Sequence, residues 1–332
     1  MSTIDNRLMK KPLFIQLHNL NPSAVRQELL DSLQHPRAHI SPKYLYDTLG
    51  SRLFEAITEL PEYYPTRTEA GIFADFRQAM AMRVPKGATL IDLGAGNCAK
   101  AAGFFSSFEP SRYVAVDISV DFLRHALDSL QHTYPMLDMV GVGLDFSSGL
   151  TLPTEAGNVS DGPRVLFYPG SSIGNFAPEE ALNFLRSARN ACGARDGSGL
   201  LIGVDLVKGR ADLEAAYDDA LGVTAAFNRN LLLHANRLVG ADFHVPDWRH
   251  VALFNEAESR IEMHLEAVRT VSVRWGQGGQ RDFAAGERIH TENSYKWTID
   301  GFAHLLTRAG FGEWVHWTDP EQRFAVFWAS AV

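Results

Sequence analysis

The residues whose types and spacing carry chemistry begin at Gly94-Ala95-Gly96, where the apolar run Leu90, Ile91, Leu93 stops. An apolar run that breaks at a glycine turn reads as a buried parallel strand whose backbone comes close to a ligand before a helix starts. Asp117 closes the next such run, Tyr113-Val114-Ala115-Val116, and stands 117 − 94 = 23 residues after Gly94. That interval suits an acid at the tip of a second strand accepting from ribose hydroxyls. The turn is G-x-G-x-x-x, with Ala99 and Lys100 where a dinucleotide fingerprint brings its third glycine. Asp92 beside it disfavours a pyrophosphate and suits a cationic or zwitterionic nucleoside. S-adenosylmethionine, with its sulfonium and amino-acid tail, fits these residues better than NAD.

Further candidates stand where other apolar runs end: Asp145-Phe146, the loop Pro169-Gly-Ser-Ser-Ile-Gly-Asn175, and Asp205. Asp145 can serve as a turn cap, Phe146 as core, and Asp205 as an acid at a helix start. The loop is a poor core and a good polar pocket, and Asn175 can hydrogen-bond a substrate carboxylate or amine.

These residues need a scaffold of alternating strands and helices. Strands are expected at 89–93, 112–117, 139–144, 164–168 and 199–205, with helices at 68–83, near 98–108, from Ser119 and from Pro178. Strands separated by helix-length segments predict a doubly wound α/β sheet. The first 65 or so residues read as turns and helices, including 22–34 and 51–59, and residues 147–163 as a loop. From 208 to 233 the pattern is helical, and 264–275 with 281–292 read as paired strands of an inserted subdomain. A helix at 300–309 and a strand at 323–328 return to the main sheet. The expected division is 68–207 plus 297–332 for a Rossmann-like cofactor domain and 1–67 plus 208–296 for a substrate domain.

Composition narrows the partners. The chain has 332 residues, 45% hydrophobic and 21% charged, enough for a sizeable core and against long disorder. Its net charge of −8, without a Lys/Arg cluster, argues against nucleic acid, where affinity comes from clustered cations. Cys98 and Cys192 show no metal-ligand spacing and match a reducing compartment. With no apolar run of membrane length and no apolar leader, a cytoplasmic monomer without a metal or a membrane partner is expected.

Longer strings carry a resemblance. Ser41-Pro-Lys-Tyr-Leu-Tyr-Asp-Thr-Leu-Gly-Ser-Arg-Leu-Phe54, Leu60-Pro-Glu-Tyr-Tyr-Pro-Thr-Arg67, Gly203-Val-Asp-Leu-Val-Lys208, Gly222-Val-Thr-Ala-Ala-Phe-Asn-Arg-Asn230 and Phe283-Ala-Ala-Gly-Glu287 resemble the histidine N-alpha-methyltransferases of ergothioneine biosynthesis. Ala216-Tyr-Asp-Asp-Ala220 and Arg260-Ile-Glu-Met263 are also similar, and the match runs from about residue 40 to 320. The resemblance implies a class I methyltransferase fold using S-adenosylmethionine, and trimethylation of the α-amine of L-histidine to hercynine. It implies cofactor contacts at Gly94, Gly96, Lys100, Asp117, Asp145 and Phe146. Lys100 would meet the cofactor carboxylate, Asp117 the ribose, Asp145 the adenine amine, and Phe146 the ring face.

For the substrate, the resemblance implies Asn175 and Tyr217 at the carboxylate, Tyr63 and Tyr46 near the amine, Glu292 and Ser294 at the imidazole, and Met263 and Phe54 as walls. Tyr46, Tyr63 or a water are the candidate proton acceptors. Ala95 and Asn97-Cys98-Ala99 depart from the family's turn, and Tyr295 and Trp297 border the proposed imidazole clamp. Methylation of another amino acid such as tryptophan or tyrosine, or a non-catalytic S-adenosylmethionine-binding module, are the alternative expectations.

Overall fold

Leu90, Ile91 and Leu93 are buried because the strand that carries them is covered on both faces. The computed structural model describes residues 9–17, 21–146, 149–157 and 161–332. Its strands, in chain order, are β1 (Leu13–Gln16), β2 (Thr89–Leu93), β3 (Arg112–Asp117), β4 (Asp138–Gly143), β5 (Arg164–Tyr168), β6 (Gly199–Asp205), β7 (Trp248–Asn255), β8 (Arg260–Ala267), β9 (Val271–Trp275), β10 (Gly279–Phe283), β11 (Arg288–Tyr295), β12 (Trp314–Thr318) and β13 (Phe324–Ser330). The α-helices are α1 (Pro22–Gln34), α2 (Thr48–Thr58), α3 (Tyr64–Ala81), α4 (Ala99–Ala102), α5 (Phe105–Phe108), α6 (Val120–Thr133), α7 (Pro178–Cys192), α8 (Arg210–Tyr217), α9 (Val223–Val239) and α10 (Ile299–Arg308).

Eight strands make one sheet in the order β1-β4-β3-β2-β5-β6-β13-β12. Strands β1 to β6 run parallel to one another, and β13 is antiparallel to both β6 and β12. This is a doubly wound, Rossmann-like sheet. Strand order reverses between β2 and β5, so a crevice opens at their carboxyl ends, where Gly94 and the Gly170–Asn175 loop lie. One face packs Ile91, Val114, Leu166 and Ile202 against α7 and α10; the other packs Leu90, Tyr113 and Phe167 against α3, α5 and α6.

A separate core joins α1, α2, α8 and α9 to the three-stranded antiparallel sheet β11-β8-β7 and to the β9–β10 pair. Its sheet has an irregularity that matters for the site. His290 pairs with His264 and Glu292 pairs with Met263, so Thr291 is an extra residue in β11. The Thr291 hydroxyl donates to the Met263 carbonyl oxygen at 3.0 Å, which holds the bulge. A bulge shifts the inside–outside alternation by one residue. Ile289 points in, His290 is half-buried, and Glu292 and Ser294 both end up buried.

Three expectations need correcting. Residues 13–16 form a strand parallel to β4, so they belong to the large sheet and not to a unit spanning 1–67. The helix near 98–108 is two short helices, α4 and α5, with Gly103 and Phe104 between them. Strands β7 and β12 were absent from the sequence reading. The loop expected over 147–163 lies partly outside the described residues; inside it, Thr154–Ala156 form a 3-10 turn. Cys98 and Cys192 are both free and buried, and no helix among the described residues is long and apolar enough to cross a membrane.

The loop after β5 touches β11 at Gly174. A Cβ built there would lie 2.9 Å from the Tyr295 carbonyl oxygen and 3.2 Å from its nitrogen, both backbone atoms that cannot swing away. Gly174→Ala should therefore cost about 1–3 kcal/mol and lower catalytic activity by displacing the adjoining Asn175. Thermal unfolding compared with wild type checks this; an unchanged Tm would show that the loop and β11 do not press together.

Candidate active site

The glycine turn is built as its residue types require. Gly94 and Gly96 adopt φ of 70° and 53°, the left-handed region open to glycine. Asp117, at the end of β3, closes the turn: the Gly96 N–H donates to its Oδ2 at 2.9 Å and the Ser119 N–H to its Oδ1 at 2.8 Å. Burial raises the Asp117 carboxyl, although these backbone donors pull the other way. Each oxygen keeps a lone pair for a ribose hydroxyl. The Phe146 ring lies 3.9 Å from where a Gly94 Cβ would be, and it packs edge-on to Tyr168. Asp145 faces Lys43 at 3.6 Å. The turn, an acid and an aromatic face thus line one crevice, a donor and acceptor set that fits an adenosine.

Two residues behave differently from the sequence reading. Asp92 is buried beneath the turn and accepts from the Tyr113 hydroxyl at 2.7 Å. Burial raises its carboxyl to about 7 despite that hydrogen bond, so it faces a tyrosine and carries no argument about ligand charge. Lys100 is held at 2.6 Å by Glu69, a carboxylate with no exposed surface. The other Glu69 oxygen accepts from the Gly170 N–H at 2.7 Å, so one buried acid fixes both Lys100 and the start of the loop. Two ammonium hydrogens of Lys100 remain for a ligand carboxylate.

Beside this crevice is a cavity lined by Tyr46, Phe54, Tyr63, Asn175, Tyr217, Glu292 and Ser294, with Ser171 and Asp205 at its base. An adjoining apolar space shares Phe54, Tyr63, Tyr217 and Glu292 and adds Met263 and Phe227. All the substrate-side residues named from the sequence therefore come together, although they lie on seven different segments of chain. Tyr295 and Trp297 do not line the cavity: Tyr295 stacks under Arg260, and Trp297 packs on Phe302. The aromatic rings touch in sequence, Tyr46–Phe54 at 5.5 Å, Phe54–Tyr63 at 6.2 Å and Tyr63–Tyr217 at 6.2 Å between centroids. They make a continuous π-lined wall suited to a cationic group.

The polar groups of this cavity are the informative ones. Tyr46, Tyr63, Asn175 and Glu292 line the cavity, and their side-chain polar groups are not engaged by hydrogen bonds to other described residues, so they stand available to a ligand. Burial raises the Glu292 carboxyl to about 7, opposed only by the charge of Lys296. Burial, with Glu292 and neighbouring tyrosines adding to it, also holds Tyr46 and Tyr63 well above the usual phenol range. Both phenols therefore stay protonated at neutral pH. They can accept a hydrogen bond from an amine but are poor proton acceptors, against the sequence expectation.

Below the cavity lies a charged cluster that sequence reasoning missed apart from Asp205. Asp205 Oδ1 meets the Lys208 ammonium at 2.6 Å, its Oδ2 meets Lys296 at 2.8 Å, and the Tyr64 hydroxyl donates to both oxygens at 2.9 and 2.7 Å. Burial would raise the Asp205 carboxyl, but the two ammonium charges outweigh it and hold it below the usual range. Desolvation pulls Lys208 down to about 8 in spite of Asp205. The available sequence signal was the spacing 292, 294, 296, three polar residues on one face of a strand.

Comparison with known proteins gives the family of the chain. The family profile described as histidine-specific methyltransferase, SAM-dependent, matches residues 25–331. The chain is 37% identical to the histidine N-alpha-methyltransferase of Mycolicibacterium smegmatis over 308 residues, 91% of this chain and 94% of that one. It is 38% identical to the histidine N-alpha-methyltransferase of Mycobacterium tuberculosis over the same shares. Ergothioneine biosynthesis protein 1 of Neurospora crassa is 30% identical over 281 residues, 82% of this chain and 31% of that longer one. With a doubly wound sheet, a glycine turn closed by an acid and an aromatic-walled polar cavity beside it, the chain belongs to the family of histidine-specific, S-adenosylmethionine-dependent methyltransferases.

Proposed function

We propose that this enzyme transfers methyl groups from S-adenosylmethionine to the α-amine of L-histidine, three times in succession, to give hercynine for ergothioneine synthesis. The observation that carries the substrate is Glu292 beside Ser294: a buried, unpartnered carboxylate two residues from a hydroxyl on one strand face. An imidazole has two ring nitrogens on opposite sides, and a carboxylate with a hydroxyl satisfies both. An apolar side chain would leave these groups unpaired, so the pocket penalises it.

S-adenosylmethionine supplies an electrophilic methyl on a sulfonium. The residues of the chain then have positioning tasks. Gly94, Gly96, Asp117, Asp145, Phe146 and Lys100 hold the adenosine and the amino-acid tail, while Asn175 takes the substrate carboxylate. Tyr46 and Tyr63 accept from the amine and turn its lone pair toward the crevice; the amine's proton leaves to water. Phe54 and Met263 close the ring end. Alignment of this kind is worth up to about 7–11 kcal/mol of barrier. We assign cofactor binding to the large sheet and substrate recognition to the second core with its β11 face. The buried free thiols fit action in the cytoplasm.

The reading is tested with purified protein, S-adenosylmethionine and each of the twenty amino acids in turn, with products weighed by mass spectrometry. Trimethylation of histidine alone is expected. Methylation of another amino acid would keep the fold and cofactor and overturn the imidazole clamp.

Glu292→Gln should show opposed effects on binding and stability. Its carboxyl is raised from 4.5 to about 7 in the folded state, so the folded protein binds the extra proton between those values. Stability from this group therefore falls as pH rises through that window, by an upper bound of roughly 3 kcal/mol above pH 7. The variant should raise the Tm of ligand-free enzyme at pH 8 but not at pH 4.5, and weaken histidine binding about 10- to 100-fold. Equal loss of histidine and cofactor affinity would remove Glu292 from the ring site.

Asp117→Ala should weaken S-adenosylmethionine binding at least about tenfold, since a buried acceptor of hydroxyls and of the Gly96 N–H is lost. Titration calorimetry with the cofactor alone measures this, and unchanged affinity would end the ribose assignment.

A further inference from the structure

Lys296 takes no part in the mechanism above, yet its side chain is wholly buried directly beneath the clamp. Its ammonium lies 2.8 Å from Asp205 Oδ2, 2.7 Å from Ser294 Oγ and 3.1 Å from the Tyr217 hydroxyl. An ammonium has three hydrogens, and these three contacts use all of them. Lys296 can therefore touch no substrate. It acts on the two hydroxyls above it.

Those hydroxyls are 2.7 Å apart and bonded to each other. Each accepts one hydrogen bond from Lys296. Between them they have two hydrogens: one makes the bond that joins them, and one is left to point outward. The direction of the joining bond follows from chemistry. A phenol is a better donor and a poorer acceptor than an alcohol, so we take Tyr217 to donate and Ser294 to accept across the 2.7 Å that separates their oxygens. Ser294 Oγ then receives two hydrogen bonds, from Tyr217 and Lys296, and both its lone pairs are filled. Its own hydrogen has no acceptor among the described residues and faces the cavity. Tyr217 has no hydrogen left for a carboxylate, which is a different role from the one the family resemblance implies for it.

We propose that Lys296, anchored by Asp205, is a positioning and specificity-determining residue that fixes Ser294 as a hydrogen-bond donor, so that the site selects the neutral imidazole form of its substrate. The inference rests on the histidine reading above. With Ser294 able only to donate and the Glu292 carboxylate able only to accept, the clamp presents one donor and one acceptor. A neutral imidazole offers the complement, one acceptor nitrogen and one N–H. An imidazolium offers two N–H groups and would set one against the Ser294 hydrogen. Lys208 and the Tyr64 hydroxyl hold the far side of Asp205, so the Lys296 ammonium cannot drop away from the pair.

Two measurements test this. In the first, Lys296→Met should raise the KM for histidine about tenfold or more, with S-adenosylmethionine affinity within about threefold of wild type. Adding Ser294→Ala to that variant should cost no more than about a further threefold, because both changes remove one interaction. Equal loss of histidine and cofactor affinity, or fully additive effects, would overturn the proposal by reducing Lys296 to a structural residue. The second measurement uses wild-type enzyme at pH 8 and so decides the matter even if the lysine variant does not fold. 2-Fluoro-L-histidine, whose ring the fluorine keeps unprotonated, should bind within about tenfold of L-histidine, whereas a larger loss would mean that the ring binds as imidazolium. If wild-type enzyme methylates no histidine at all, the substrate reading fails first; if it does and these results differ, only the role of Lys296 fails.

Discussion

The buried carboxylate of Asp205 is the constraint on which the site depends. It ends β6, is 1% exposed, and gathers Tyr64 from the first turn of α3, Lys208 from the segment after β6 and Lys296 from the end of β11. Its own N–H donates to Ser171 Oγ at 2.8 Å, so the loop before Asn175 is tied to the same residue. One side chain thus joins the large sheet, the loop at its carboxyl edge and the strand that carries the ring clamp. Taking a carboxylate and two ammoniums out of water is costly, and removing one partner typically costs about 3–5 kcal/mol because it leaves a buried charge uncompensated. Such a cluster is better suited to fixing geometry than to adding net stability. Glu69 does the same on the other side of the loop, through Gly170 and Lys100. Gly170 to Asn175 is therefore held between two buried acids.

The charges balance only when the clamp is included. Asp205 faces two ammoniums, which leaves one positive charge beneath Tyr217 and Ser294. Ionised Glu292 supplies the missing negative charge, and Lys296 in turn opposes the effect of burial on Glu292. The site therefore carries an acid that is easy to protonate while empty and whose ionised form a ring N–H would stabilise. The cost of burying Glu292 without a partner is the kind of local strain that a binding site retains because a ligand removes it.

The strands that hold the cofactor crevice were legible because each is an apolar run ended by Gly or Asp, covered on both faces, so that period and alternation were not needed. Strand β7 was not: in Trp248-Arg-His-Val-Ala-Leu-Phe-Asn255, both faces carry apolar residues, and neither a helical nor a strand period stands out. β1 and β12 lie at opposite edges of the sheet and are half-exposed, so they lack the buried run that marked their neighbours. Glu292 and Ser294 could be named only through family resemblance. Strict alternation from the buried Ile289 would turn both of them outward, and the extra residue at Thr291 reverses that. The partners Glu69 and Tyr64 lie 31 to 144 positions from the groups they hold, and no local pattern encodes such contacts.

Repeated transfer to one nitrogen places a demand on the site that its layout meets. Each methylation removes an N–H and adds bulk, and the last leaves a fixed positive charge, so contacts made by the amine cannot anchor the substrate throughout. The contacts proposed at Glu292 and Ser294, and at Asn175, lie at the two ends of the amino acid that do not change between transfers. Tyr46 and Tyr63, proposed to face the part that does change, belong to a run of touching aromatic rings whose edges and faces tolerate an amine, its methylated forms and a quaternary ammonium alike. Because both phenols stay protonated, neither presents an ionised oxygen to a charged product. Selectivity is thereby assigned to rigid, buried polar groups on β11 and the loop after β5, and tolerance to an aromatic wall, which lets one pocket discriminate among amino acids and still accept three successive forms of the same one.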